Sequence, residues 1–213
     1  MVALDIGSDA ALFYRRDHDI AVRWAALNRR IIALRAAEAA RADTTSIADL
    51  SHNFVELLPE SAIQGAHPLA LHRKGAAPSD RGLVPVPGSR GTLSYLVEPL
   101  AASRPETLAS LAHGAGNDRA STHGRVSSKK SDLARLARNP FGGLIVCEDR
   151  DLLVEESPDA YKSIERVIAD LTDFGLARVV ATFRPLVTFK TAHSKSARSD
   201  KRRRARPARE ERR

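Results

Sequence analysis

The sequence predicts an α+β fold in which two main helices accompany several short strands. Residues 18–42 repeat apolar side chains at helical spacing, whereas residues 52–100 alternate short apolar bursts with glycine and proline. The two kinds of segment follow one another without the regular βαβ rhythm of a parallel sheet. We therefore expect one folded domain over residues 1–192, followed by a disordered Arg/Lys-rich tail at 193–213.

The first helix is predicted over residues 18–42. Its large apolar residues recur at spacings of four, three, four and three, which places them on one face of a helix. They are Ile20, Trp24, Leu27, Ile31 and Leu34. Asp17 or Asp19 is predicted to cap its start. Arginines that lie off this stripe could meet phosphate or form a solvated face; they are Arg23, Arg29, Arg30 and Arg35.

Short strands and a second helix are predicted from local patterns further along the chain. Each strand is a short apolar run bounded by turn residues, and together they cover 83–86, 93–97, 143–147, 179–183 and 187–189. The second helix is predicted to begin at Ser157 and Pro158, with the serine as cap, and to end at Gly175. Its apolar stripe is Tyr161, Ile164, Ile168 and Leu171.

Charge and cysteine content narrow the class of protein. The net charge of the 213 residues is +8, but residues 193–213 hold ten Lys/Arg and three Asp/Glu and so carry +7 of it. Such a tail could neutralise nucleic-acid phosphates or be a solvated extension. The chain has no apolar run near the ~18 residues of a membrane span and no signal-peptide pattern. Because Cys147 is the single cysteine, an internal disulfide is excluded, and we expect a cytoplasmic protein with no membrane partner.

Three histidines stand in informative surroundings. His52 precedes Asn53, His72 opens His-Arg-Lys-Gly-Ala, and His113 opens His-Gly-Ala-Gly. Small residues beside His113 would let an anion approach the backbone and the imidazole act as a nucleophile, but the pattern also fits a turn beside a structural histidine. The turn at residues 87–92 could be an anion-binding nest or a simple turn between strands, and the amine of Lys190 could bind phosphate or be an ordinary surface lysine. Spacing alone defines no metal site around His52, since such sites draw three or four ligands.

Taken in order, these segments resemble one family, the RtcB-type RNA-splicing ligases, and within it the branch coupled to release factor H. The resemblance covers residues ~15–190 and corresponds to the C-terminal half of such a ligase. The segments that carry it are 51–56, 72–76, 87–95, 113–116, 160–164 and 184–186 followed by Lys190.

The resemblance implies a GTP-dependent RNA ligase that uses Mn²⁺. Such enzymes join RNA ends bearing a 3′-phosphate or a 2′,3′-cyclic phosphate to a 5′-hydroxyl end. By this resemblance His113 is the catalytic residue that becomes guanylylated, and His52 is a metal ligand. The positions matching the nucleotide site are His52, Asn53, Pro87, Gly88, Ser89, Arg90, Ser94, His113, Gly114, Ala115, Gly116 and Lys190. The segment at 72–76 also matches, with no role implied.

The resemblance leaves the family's other metal ligands outside this chain, in the N-terminal half of such ligases. We therefore expect the chain alone to be weak or inactive in ligation. Two alternatives stay open at this stage. One is a non-catalytic RNA-binding protein whose tail and arginine face bind phosphate. The other is the C-terminal subunit of a split ligase, completed by a separately encoded N-terminal half.

Overall fold

The computed structural model of the protein describes residues 4–58, 69–100, 105–116, 137–147 and 149–190, and it confirms the α+β class. Within these residues the chain forms three α-helices and nine strands, and the strands pair in small sheets. They are α1 (Asp9–Ala40), β1 (Asn53–Leu58), β2 (Leu69–Lys74), β3 (Ala76–Pro78), β4 (Val84–Val86), β5 (Ser94–Pro99), β6 (Ser110–Ala112), β7 (Leu144–Cys147), α2 (Arg150–Glu155), α3 (Ile164–Asp173), β8 (Ala177–Phe183) and β9 (Val187–Lys190). The predicted tail at 193–213 lies outside the described residues.

The chain divides into two compact units, each assembled from separate stretches of sequence. The first unit draws on Met1–Pro87, Tyr95–Gly116 and Ser163–Thr182. The second unit draws on Gly88–Ser94, Asn117–Lys162 and Phe183–Arg213. Neither unit is therefore a contiguous domain.

Helix α1 begins nine residues before the predicted start, because Ser8 caps it. The Ala11 N–H donates to Ser8 Oγ at 3.3 Å, and Asp9 adds a negative charge to the first turn. The predicted cap at Asp17 or Asp19 is wrong, since no glycine or proline interrupts residues 9–17. Ala11 is the one residue of α1 that is buried, so the predicted apolar stripe is exposed among the described residues.

Two antiparallel strand pairs meet at Gly75 in the first unit. Strand β1 pairs with β2 from Asn53↔Lys74 to Leu58↔Leu69, and β3 pairs with β6 from Ala76↔Ala112 to Pro78↔Ser110. Gly75 separates β2 from β3 and has φ +76°, a left-handed conformation that glycine adopts readily. One chain segment thereby serves both pairs.

The best-buried part of the first unit combines a sheet with helix α3. Strands β4, β5 and β8 form a three-stranded sheet, in which Val84, Val86 and Val97 are almost wholly buried. Helix α3 packs against β6 and buries three of the four predicted stripe residues, Ile164, Ile168 and Leu171. These apolar side chains supply the transfer free energy that holds the unit together.

The start of the second predicted helix needs correction. Ser163, not Ser157, caps α3, and its Oγ accepts from the Arg166 N–H at 3.2 Å. Ser157 instead opens a short 3₁₀ turn at Pro158–Ala160, which ends because Tyr161 is extended. Tyr161 therefore precedes the helix, whereas Gly175, with φ +61°, follows its end as predicted.

The second unit is built on a parallel strand pair. Strand β7 pairs with β9 from Leu144↔Val187 to Cys147↔Lys190, at the positions where the sequence predicts strands. Helix α2 follows β7 and was not predicted, because its six residues are too short for a clear helical period.

A buried arginine ties several elements of the first unit together. The Arg73 guanidinium donates to Glu56 Oε2 at 2.5 Å, to Ser110 Oγ at 2.9 Å and to the carbonyls of Leu108 and Ala109 at 3.1 and 3.3 Å. Leu108 and Ala109 have φ of +48° and +49°, an uncommon conformation for residues with a side chain. Arg73 thus binds the strained turn from which β6 starts.

Replacing Arg73 should destabilise the first unit strongly. The change Arg73→Met removes the buried guanidinium that binds Glu56 and the carbonyls of Leu108 and Ala109. Because Glu56 keeps its exposed partner Arg81, we expect the free energy of unfolding to fall by about 2–4 kcal/mol. The matched control is Arg178→Met, because Arg178 pairs with Glu98 at an exposed site. Its cost should stay below about 1 kcal/mol. Urea unfolding checks both values, and equal costs would contradict the assignment.

Candidate functional site

Two predicted site residues, His52 and His113, lie against each other in the first unit. Their ring centroids are 4.3 Å apart and the ring planes differ by 23°, so the imidazoles are stacked. His52 immediately precedes β1, and His113 immediately follows β6. The two strand pairs that meet at Gly75 therefore bring together histidines that are far apart in sequence.

The backbone of Gly75 sets the orientation of this pair. Its N–H donates to the His52 carbonyl at 2.9 Å and lies 3.1 Å from Asn53 Oδ1, and its carbonyl lies 2.8 Å from His113 Nδ1. Because a carbonyl can only accept, Nδ1 is assigned the ring proton and Nε2 keeps its lone pair. The pair thus offers one nucleophilic nitrogen on His113.

The environment of His52 favours its neutral form. Burial lowers the pKa of His52, and the positive charges of His113, when that ring is protonated, and of Arg29 and Lys74 lower it further. A neutral imidazole is the form that can bind a metal ion. The described part of the chain, however, contains no group of three or more His, Cys, Asp or Glu side chains able to hold one. These residues alone do not make a complete manganese site.

The chain after His113 forms a close turn against Pro87. The Ala115 N–H donates to the Pro87 carbonyl at 3.3 Å. A Cβ at Gly114 would lie 2.9 Å from that oxygen, so the approach requires glycine. Gly116, with φ +70°, faces open space. Three of the predicted nucleotide-site residues, Pro87, Gly114 and Ala115, thus fix the backbone beside His113.

The predicted loop of the second unit is held by its own hydroxyl groups. The Gly88 N–H donates to Ser94 Oγ at 3.1 Å, and the Gly91 N–H donates to Ser89 Oγ at 3.3 Å. The Arg90 guanidinium donates to the carbonyls of Leu153 and Glu156 at 2.7 and 2.8 Å. Arg90 therefore anchors this loop to the end of α2.

A small pocket in the second unit gathers a carboxylate, an ammonium and a phenol. Its volume is about 250 Å³. Glu156 Oε2 accepts from Tyr161 Oη at 2.7 Å and from Lys190 Nζ at 3.0 Å. The residues that line it are Gly88, Ser89, Arg90, Glu156, Tyr161, Pro185, Thr188 and Lys190. Glu156 was not a candidate, since its partner Lys190 is distant in sequence and no local pattern connects them.

The groups of this pocket hold well-defined protonation states. Burial raises the pKa of Tyr161, and the hydrogen bond to Glu156 raises it further, to about 12. Burial alone would raise the pKa of Glu156, but the bonds from Tyr161 and Lys190 outweigh it and lower that pKa. At neutral pH the pocket therefore presents a carboxylate beside a protonated phenol.

The predicted site residues thus fall into two groups. The first unit holds His52, Asn53, Pro87, His113, Gly114, Ala115 and Gly116. The second unit holds Gly88, Ser89, Arg90, Ser94 and Lys190. His72 is exposed on β2. His18, which the sequence did not single out, accepts from the Val55 N–H at 3.1 Å and so joins α1 to β1.

Comparison with known proteins agrees with the resemblance. The family described as tRNA-splicing ligase RtcB matches residues 1–191. The RNA-splicing ligase RtcB2 of Escherichia coli is 44% identical over 191 residues, which cover 89% of this chain and 48% of that protein. The tRNA-splicing ligase RtcB of Nanoarchaeum equitans is 32% identical over 67% of this chain and 32% of that protein. That of Thermococcus kodakarensis is 31% identical over 65% of this chain and 31% of that protein. The chain thus spans about half the length of the first of these curated relatives and about a third of the others.

No helix among the described residues is long and apolar enough to cross a membrane.

Removing the carboxylate of the pocket should shift the titration of Tyr161. In Glu156→Gln we expect the pKa of Tyr161 to fall from about 12 but to stay above its ordinary value, because burial, the larger cause, remains. The raised pKa means that this phenol stabilises the fold below its ordinary pKa and loses that contribution as pH rises through about 12. NMR titration of ¹³C-labelled tyrosine rings measures the change. Glu38→Gln, an exposed acid on α1, is the control.

Proposed function

The chain belongs to the RtcB family of tRNA-splicing ligases, and on that premise we propose that it carries the guanylate-accepting half of a GTP-dependent RNA ligase. The observation that carries the proposal is the hydrogen bond between His113 Nδ1 and the Gly75 carbonyl. It leaves Nε2 as the free nucleophilic atom, next to the stacked ring of His52. A neutral imidazole nitrogen is a competent nucleophile toward phosphorus.

The proposed reaction has three displacements at phosphorus. His113 Nε2 attacks the α-phosphorus of GTP, so that a P–N bond forms and pyrophosphate leaves. An oxygen of the RNA 3′-phosphate then displaces His113 and takes the guanylate. The RNA 5′-hydroxyl finally attacks the activated 3′-phosphate, loses its proton and expels GMP. The substrates proposed on the basis of the family are thus RNA ends with a 3′-phosphate or 2′,3′-cyclic phosphate and with a 5′-hydroxyl; a cyclic end is first opened by water.

The pocket of the second unit has groups that complement a guanine base. Guanine presents two adjacent N–H donors and one carbonyl acceptor along its edge. The Glu156 carboxylate can accept from those donors, and the Lys190 ammonium can donate to the carbonyl. The loop serine Ser89 and the ring of Tyr161 lie in the same pocket. This donor and acceptor pattern supports GTP over ATP as the proposed nucleotide.

His52 would supply one nitrogen ligand to the proposed manganese ion. Three or four protein ligands are usual for a transition-metal site. The described residues do not provide such a set, so a complete site would need ligands from outside them. We therefore assign no step of the reaction to the metal through this part of the chain.

Labelling with GTP tests the proposed nucleophile. The chain incubated with α-³²P-GTP and Mn²⁺ should acquire an acid-labile label, since the P–N bond to imidazole breaks in acid. His113→Ala should abolish the label, whereas His72→Ala, which changes an exposed histidine on β2, should retain it. A label that survives in His113→Ala would refute the assignment. An unlabelled chain that still binds RNA in a salt-sensitive way would favour the non-catalytic alternative.

Base selectivity tests the proposed guanine pocket separately. Inosine lacks the exocyclic amine of guanine, so the protein should bind GTP about 10–100-fold more tightly than ITP if a carboxylate accepts from that amine. In Glu156→Gln the preference should shrink, because the amide is a weaker acceptor. Isothermal titration with both nucleotides measures the ratio. An unchanged ratio in the variant would exclude Glu156 from base recognition.

A further inference from the structure

Helix α1 exposes its large apolar residues. We call Ile20, Trp24, Leu27, Ile31 and Leu34 the α1 seam. The exposed fraction is 66% for Trp24, 58% for Leu27 and 52% for Leu34. A helix that belongs to a folded body normally turns such a stripe inwards, and a contiguous exposed patch marks an interaction surface.

The opposite side of α1 faces its own unit with smaller residues. Ala11 is buried, Val22 and Ala25 are half-buried, and His18 accepts from the Val55 N–H of β1. The helix is therefore already fixed to its unit on one side. In this orientation the seam faces away from the unit. The described residues around α1 therefore do not cover it.

A groove runs beside the seam. It has a volume of about 930 Å³ and lies between α1 and residues 44–49. Leu27 and Leu34 line one wall, and Ile47, 68% exposed, stands on the other. Arg29 Nε donates to Asp49 Oδ1 at 2.6 Å and so joins the two walls. A groove that combines apolar and charged walls in this way suits an amphipathic helix.

The spacing and the flanking charges specify the partner. The alternation of four and three residues is that of a coiled-coil seam, in which the flanking positions choose the partner. Arg23 and Arg30 flank the seam on one side, and Arg35 flanks it on the other. A second copy would place arginine opposite arginine in the antiparallel pairing, and Arg30 opposite Arg35 in the parallel one. Like charges at these positions disfavour self-association and favour a partner that carries carboxylates.

We propose that the α1 seam docks an acid-flanked amphipathic helix from the part of the ligase fold that lies outside these 213 residues. This chain matches 48% of the length of the Escherichia coli relative, so a comparable length of that fold is left to pack against it. The proposal rests on the family membership and not on the guanylylation of His113. Binding and labelling can therefore fail independently.

Trp24 reports directly on the seam, because it is the one tryptophan in the chain. The first probe is a synthetic helical peptide with leucines at seam spacing and glutamates at the flanking positions, compared with the same peptide carrying lysines. We expect the glutamate peptide to shift Trp24 emission to the blue and to bind about tenfold more tightly than the lysine peptide. Equal binding, or none, would overturn the proposed chemistry.

The second probe identifies the source of the partner. The part of Escherichia coli RtcB2 that this chain does not match is co-expressed with the full chain, and we expect a one-to-one complex by sedimentation. Leu27→Glu should lose the complex, whereas Ile32→Glu should keep it, because Ile32 lies on the same helix outside the seam and is 59% exposed. Circular dichroism confirms that both variants fold.

Three results would overturn the proposal. The first is that no complex forms with the unmatched part of RtcB2, or that the complex still forms with the Leu27→Glu variant. The second is a chain that self-associates through the seam, seen as a Leu27-dependent dimer. The third is an isolated monomer whose Trp24 is already shielded from acrylamide quenching, since the seam would then be covered from within the chain.

Discussion

The candidate site of the first unit depends on the backbone at Gly75. Both backbone polar groups of Gly75 form hydrogen bonds, since its N–H donates to the His52 carbonyl and its carbonyl accepts from His113 Nδ1. Its φ of +76° belongs to the region that favours glycine, and an added Cβ would lie 3.4 Å from the His113 ring. A side chain at position 75 would therefore strain the backbone and also press against the His113 imidazole. Two strand pairs and the orientation of one ring thus follow from a single residue without a side chain.

The second unit solves a different problem, which is to keep a carboxylate charged while partly burying it. Glu156 achieves this with two donors, Lys190 on β9 and Tyr161 after the 3₁₀ turn. Each donor would itself be less well satisfied without the carboxylate. The loop around Arg90 reaches the same region through the carbonyls at the end of α2. The ion pair and the backbone of the loop are therefore connected, so that replacing one of these side chains should shift the positions of the others.

Local patterns predicted the α+β class, the strands near 83–86 and 187–189 and the stripe of α3, because these depend on neighbouring residues. The residue that caps α3 was harder to predict, because Ser157 and Ser163 are both suitable capping residues. Only the extended backbone of Tyr161 shows that the helix begins after Ser163. Glu156 was not predicted as a site residue, because its hydrogen bond to the distant Lys190 produces no recognisable spacing in the sequence. The family resemblance supplied His52 and His113, which single motifs left ambiguous. Periodicity identified the face of α1 but carries no information on whether that face is covered.

The two units are interleaved along the chain, which has a consequence for biosynthesis. The first unit lacks strand β8 until the ribosome has translated past Phe183, and the second lacks β9 until Lys190 has emerged from the exit tunnel. Neither can close its sheet from a nascent chain that ends earlier, and such long-range pairing is intrinsically slow. The apolar face of α1 is exposed throughout this interval, because closing the two sheets does not cover it. During that interval it is a natural client for a chaperone.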